Sequence, residues 1–162
     1  MEELFRRHWR PLHRAAYLVV QDAAAAEDIA QEAFLAAMRS LDRFDRRRPF
    51  GPWIHRIAVN RAIDAVRARK LRREVADRAL ESRDPAGAPP GEQPEAAQPL
   101  SGETSAAMSS LPVEQRAVVV MRYLLEYTPG EIARALELPR GTVNSRLRRG
   151  LDRLAAELED KR

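Results

Sequence analysis

Apolar positions fall into helical stripes along most of the chain. From Leu4 to Val20, the residues Leu4, Phe5, Trp9, Leu12, Ala16 and Val20 interleave with arginines and histidines at helical spacing, with a bend expected at Pro11. Asp22 opens a second helix, whose Ile29, Ala30, Ala33, Ala36 and Ala37 form a slim apolar face suited to close packing. Its far side gathers Asp28, Gln31, Glu32 and Leu35, with Glu27 at the edge, so an acidic strip surrounds one leucine. A third helix over residues 53–70 is expected to bury Ile54, Ile57, Ala58, Ala62 and Ala65. Its other face presents Arg56, Asn60, Ile63 and Arg67, beside Trp53 and Asp64. A further helix over 113–127 offers Val118, Val119, Met121, Leu124 and Leu125 as backing for the segment after it.

That segment, Thr128 to Leu154, reads as two helices with a tight corner. Thr128 caps the first, Pro129 suits its first position, and Glu131 stands where its carboxylate can reach back to the cap. Gly130 weakens this helix, which therefore relies on packing by Ile132, Ala133 and Leu136. Glu137, Leu138 and Pro139 form the corner, because a residue before proline is pushed out of the α region. In the second helix Val143, Leu147, Leu151, Leu154 and Leu158 share a core face. The opposite face carries Gly141, Thr142, Ser145, Arg148 and Arg149, flanked by Asn144 and Arg146. Small polar residues followed by arginines suit the reading of a duplex, since the former can approach base edges and the latter hold guanine or phosphate. A basic amphipathic helix docked on another protein is the alternative.

Composition narrows the classes. Aromatic residues are only 6% of the 162 residues against 44% hydrophobic, so the cores are Leu, Ala, Val and Ile, as helical proteins favour. No cysteine is present, which removes disulfides, thiol nucleophiles and cysteine-based zinc sites. The net charge of +4 comes almost wholly from arginine and favours an anionic partner. No apolar run approaches a membrane span, and a cytoplasmic location is expected. The stretch Arg83–Gly102 holds Pro85, Pro89, Pro90, Pro94 and Pro99 with few large apolar residues, and so is expected to be a flexible tether, cut first by proteases. Two small helical domains on either side of it make an all-α protein.

The candidate chemistry is recognition. The loop Asp42–Pro52 contains Arg46, Arg47 and Arg48 between Phe44 and Phe50, and it leads into the helix bearing Trp53. Arginines interleaved with aromatic rings suit single-stranded nucleic acid, where bases stack and the backbone is neutralised. For Phe50 and Trp53 a core position competes with that role. The acidic strip suits a basic helix on a protein partner. A metal-dependent nuclease using Glu27, Asp28 and Glu32 is disfavoured, because three acids on one helix lack further ligands; His8 and His13 do not share a face. No metal, cofactor or small-molecule substrate is expected.

Four blocks in order, AEDIAQEAF at 26–34, RPFGPWIHRIAVNRAID at 48–64, LPVEQRAVVVMRY at 111–123 and EIARALELPRGTVNSRLRRGLDRL at 131–154, closely resemble the extracytoplasmic-function (ECF) group of the sigma-70 family. The resemblance implies a sigma-2 helical bundle over 1–82, a linker over 83–104 and a sigma-4 helix-turn-helix domain over 105–162. It implies a transcription initiation factor acting with core RNA polymerase, and no catalysis by this chain. Asp28, Gln31, Glu32 and Leu35 would dock on the clamp helices of the beta-prime subunit, and the C-terminal domain on the beta flap. Arg46, Arg47, Arg48, Trp53, Arg56, Asn60, Ile63 and Arg67 would capture the melted minus 10 strand. Arg140, Thr142, Ser145, Arg146 and Arg149 would read the minus 35 element as duplex. Many family members are held by an anti-sigma factor, so such a partner is an expectation too. The family often has a few more residues before its first helix, so either that helix is shortened here or the true start site lies elsewhere. The competing reading is a stand-alone helix-turn-helix regulator, which would leave the acidic strip without a purpose.

Overall fold

In the computed structural model, residues 2–80 and 102–160 are described, and they form seven α-helices and one short 3-10 turn. Helix α1 (Glu2–Val20) runs five turns and passes through Pro11 without ending. Pro11 is exposed, so its ring disturbs only the solvent side, while Leu12, Ala15, Ala16, Val19 and Val20 pin the inner side. Gln21 adopts a left-handed backbone (φ 59°), its side-chain amide donates to the Leu18 carbonyl at 2.8 Å, and the chain reverses. Helix α2 (Ala23–Arg39) then starts on Asp22, whose carboxylate accepts the Ala25 N–H at 2.8 Å, a cap typically worth about 1 kcal/mol.

Alanine dominates the inner face of α2: Ala26, Ala30, Ala33 and Ala37 are wholly buried, and Ile29 and Phe34 supply bulk. Small residues let α1 and α3 (Phe50–Leu80) approach closely, giving a three-helix N-terminal unit. Helix α3 continues ten residues beyond the expected end at Lys70, and from Leu71 to Leu80 every residue is exposed. Ile54, Ala58 and Ala62 are buried as expected; Val59 and Ile63 join them, while Ile57 and Ala65 are half-buried.

The C-terminal unit consists of α4 (Gly102–Ser110), α5 (Val113–Tyr123), α6 (Pro129–Leu136) and α7 (Arg140–Asp160). The expected tether lies outside the described residues as far as 101, and its last three positions, 102–104, begin α4. Val118, Met121, Ile132 and Val143 are fully buried where α5, α6 and α7 meet. Arg116 is buried among them, its guanidinium donating to the carbonyls of Met108 and Leu111 at 3.4 and 3.5 Å and holding the α4–α5 turn. The leucine stripe of α7 is covered only in part: Leu147 is buried and Leu154 is half-buried against the core, whereas Leu151 and Leu158 are 39% and 40% exposed. Gly150 is buried instead, against Val119 and Gln115.

The two units share one continuous apolar core. Helix α5 lies on α1 and α3, and α6 lies on α3. No strand occurs among the described residues, and no helix among them is long and apolar enough to cross a membrane.

Candidate nucleic-acid interface

The helix-turn-helix is built by local chemistry. Thr128 Oγ1 accepts the Glu131 N–H at 3.3 Å, and the Glu131 carboxylate accepts from the Thr128 backbone N–H at 2.7 Å and hydroxyl at 2.9 Å. Those bonds, the Thr128 backbone first, draw the Glu131 pKa below its ordinary value. At the corner Glu137 takes a left-handed backbone (φ 55°), and the Leu138 N–H reaches the Ala133 carbonyl at 2.9 Å, closing α6. With α6 held in this way, α7 presents Arg140, Gly141, Asn144, Arg148 and Arg149 to solvent, with Thr142, Ser145 and Arg146 half-exposed between them. Ser145 donates to the Thr142 carbonyl at 3.0 Å, so its hydroxyl can still accept.

The N-terminal face has two parts. Arg46, Arg47 and Arg48 are exposed on a turn in which Asp45 accepts the Arg47 N–H at 3.0 Å. Behind it Trp53 stacks on Phe44 with ring centroids 4.4 Å apart, and Phe50 meets both edge-on. Phe50 is core, and Trp53 is half-buried and packed against that core. Arg56, Asn60 and Arg67 lie along α3 toward the C-terminal unit, which meets each of them. Arg56 pairs with Glu137 at 3.4 Å, the Asn60 amide donates to the Ala135 carbonyl at 3.5 Å, and Arg67 pairs with Glu114 at 3.2 Å. Ile63, expected on the same open face, is buried at 8% exposure.

One residue before Arg56, His55 also meets the C-terminal unit, its Nδ1 lying 2.9 Å from the Tyr127 hydroxyl. Burial, then the neighbouring His8, depress the His55 pKa to about 4, and burial raises that of Tyr127. At neutral pH the imidazole is therefore uncharged and the phenol protonated. Burial works against the Glu114 carboxylate, but its own backbone N–H and Arg67, with Arg146 nearby, bring its pKa below the ordinary range.

The acidic strip is open. Asp28, Gln31, Glu32 and Leu35 are all exposed on α2, and Glu32 accepts from Arg61 at 2.6 Å. Beside the strip, Phe5, Phe34, Leu35 and Met38 line an apolar groove of about 360 Å³ between α1 and α2, with Glu2 and Gln31 at its rim. The apolar centre is thus wider than the single leucine read from sequence. Met38 is one helical turn from Leu35, a signal that was available; Phe5 comes from another helix and carried none. No group of three or more His, Asp or Glu residues that could hold a metal comes together among the described residues. Glu27 is engaged by Gln31, and His13 stacks on Trp9.

The chain is similar to known proteins in sequence and in fold. Residues 4–72 match sigma-70 region 2, and residues 101–154 match sigma-70 region 4. The chain is 35% identical to the ECF RNA polymerase sigma factor SigW of Bacillus subtilis over 92% of its own length and 83% of that protein's. It is 37% identical to the ECF RNA polymerase sigma factor SigM of Mycobacterium tuberculosis, over 95% and 74%. In fold it superposes on the sigma factor RpoE of Bartonella quintana, solved with the anti-sigma factor NepR, with a TM-score of 0.74 at 21% identity over 99% of this chain and 98% of that one. CnrH, solved with the cytosolic domain of CnrY, gives 0.69 at 25% identity over 99% and 88%.

Proposed function

The chain belongs to the ECF group of the sigma-70 family of transcription initiation factors, and we propose that its three faces divide the work of promoter use among polymerase, duplex and single strand. Asp28, Gln31, Glu32 and Leu35, with the groove beside them, form the dock for core RNA polymerase, on its beta-prime clamp helices; the C-terminal unit meets the beta flap. Arg140, Thr142, Ser145, Arg146 and Arg149 read the minus 35 duplex. Arg46, Arg47, Arg48, Trp53, Arg56, Asn60, Ile63 and Arg67 take the melted minus 10 strand. Residues 1–82 and 105–162 form the two working domains, with 83–104 between them. The protein works in the cytoplasm, beside polymerase, and adds no catalytic residue of its own.

The observation that carries this division is the exposure of Arg140, Arg148 and Arg149 along a helix whose approach is fixed by the Thr128–Glu131 cap and the Glu137 corner. Guanidinium groups there are free to meet a duplex, whereas the aromatic and arginine-rich α3 face suits unpaired bases. An anti-sigma partner is part of the proposal, since the structurally similar RpoE was solved bound to one.

The test is transcription by purified core RNA polymerase on a library of genomic promoter fragments, with and without the protein. Defined start sites that need both components are expected. Asp28→Arg with Glu32→Arg should abolish polymerase binding while leaving the helical fold intact. Full activity of that double variant would favour the stand-alone regulator.

A further inference from the structure

The chain has no cysteine, so its oxidisable sulfur is all in methionine. Among the described residues the methionines differ sharply in access: Met108 and Met121 are 5% and 0% exposed, whereas Met38 is 51% exposed. Met38 stands in the last turn of α2 and, with Phe5, Phe34 and Leu35, lines the apolar groove between α1 and α2. The aromatic wall opposite it is held firmly. Phe5 stacks on Trp9 with ring centroids 4.8 Å apart and meets Phe34 at 5.0 Å. The rim adds Glu2, an acceptor, and Gln31, whose amide is turned to Glu27 at 3.2 Å.

We infer that Met38 is a reversible oxidation site, and that its sulfoxide weakens the dock for core RNA polymerase without disturbing the fold. The inference rests on the reading of α2 and the groove beside it as that dock. The oxidant is a peroxide: the thioether sulfur attacks one oxygen of hydrogen peroxide, the O–O bond breaks, and the sulfur gains that oxygen and gives up two electrons while the other oxygen leaves as water. In the free chain the new S=O group faces solvent, and folding loses nothing. Once a partner covers the groove, that oxygen gives up its water, and the side chains of Phe5, Phe34 and Leu35 offer no donor in its place. A partner surface that fits an apolar groove is itself apolar, so the acceptor stays unsatisfied and binding weakens. The acidic strip keeps its charge, so encounter with a basic partner is unchanged and the loss falls on dissociation. A bound partner also covers the sulfur, so oxidation acts on the free chain.

The test treats the full chain with hydrogen peroxide, removes the peroxide, and reads conversion at each methionine by peptide mass spectrometry. Binding to purified core RNA polymerase is then followed by biolayer interferometry. Met38 should oxidise well ahead of Met108 and Met121, and polymerase binding should weaken by about tenfold through faster dissociation, as expected for one buried unsatisfied acceptor. Thermal unfolding should not shift. Methionine sulfoxide reductases should return the affinity, and chain already bound to polymerase should resist oxidation at Met38. Met38→Leu, compared only with its own untreated sample, should lose no affinity on peroxide treatment. Unchanged affinity at full conversion of Met38, an equal loss in Met38→Leu, or oxidation of Met38 no faster than of the buried methionines overturns the inference. The double variant Asp28→Arg, Glu32→Arg separates the two levels. If it abolishes polymerase binding while the sulfoxide has no effect, the dock reading stands and the oxidation site falls. If neither alters binding, both fall.

Discussion

Acidification should loosen this protein well before its carboxylates titrate, and the loss should trace to one imidazole. His55 has its pKa pushed down from 6.5 to about 4 by burial and by the nearby His8. The ring faces the Tyr127 hydroxyl on one side, and its buried Nε2 has no hydrogen-bond partner among the described residues. An unfolded chain takes up that proton near pH 6.5, the folded one only near pH 4. The stabilising contribution is therefore complete above pH 6.5, shrinks as pH falls through the window, and is gone below 4. Each decade of pH inside the window is worth about 1.4 kcal/mol, so moving from about pH 7 to about pH 5 should cost roughly 2 kcal/mol. His8, also lowered by burial and by Arg7, adds in the same sense, whereas Glu114 and Glu131 have lowered pKa values and contribute only further down. Urea unfolding followed by circular dichroism at the two pH values, for wild type and His55→Gln, measures the difference. The variant should be less stable at neutral pH yet lose much less on acidification. If its loss equals that of wild type, the imidazole is not the titrating group and its assigned burial is wrong.

Gly150 lies where an added Cβ would come within 3.0 Å of Val119 Cγ2, so Gly150→Leu should overpack the α5–α7 contact and lower stability by about 1–3 kcal/mol in thermal unfolding, despite the better helix propensity. Thr128→Ala removes the cap from an eight-residue helix and should cost about 1 kcal/mol; Thr128→Ser, which keeps the hydroxyl, should recover most of it. Arg149→Ala should weaken binding of the minus 35 duplex by about 1–3 kcal/mol, read by fluorescence anisotropy at several salt concentrations. A uniform loss with a shallower salt slope would mark a phosphate contact, and a loss confined to the specific sequence a base contact.

Local rules carried much of the fold. The Thr128 box, the Asp22 cap, the alanine face of α2 and the corner at Glu137–Pro139 depend on residues a few positions apart, and each stands where its spacing put it. The misses are places where a distant segment decides. Leu151 and Leu158 continue a flawless stripe, but α7 outruns the helices that could cover it, while Gly150 escapes the stripe yet is buried because α5 needs its lack of a side chain. Helix α3 extends past Lys70 through Leu71 and Val75, at 61% and 58% exposure, because helix-favouring residues continue there with no breaker.

Ile63 shows why the candidate site was legible in composition but not in exposure. Periodicity sets it with Arg56, Asn60 and Arg67, one apolar residue among polar ones, and on an open surface a base could cover it. In the folded chain it is buried at 8% exposure, on a helix packed by α1 and α2 as well as by α5 and α6. Helical periodicity identifies a face and its chemistry, but not what packs on it. Only the tertiary arrangement shows that Ile63 is buried while Arg56, Asn60 and Arg67 meet groups of the C-terminal unit.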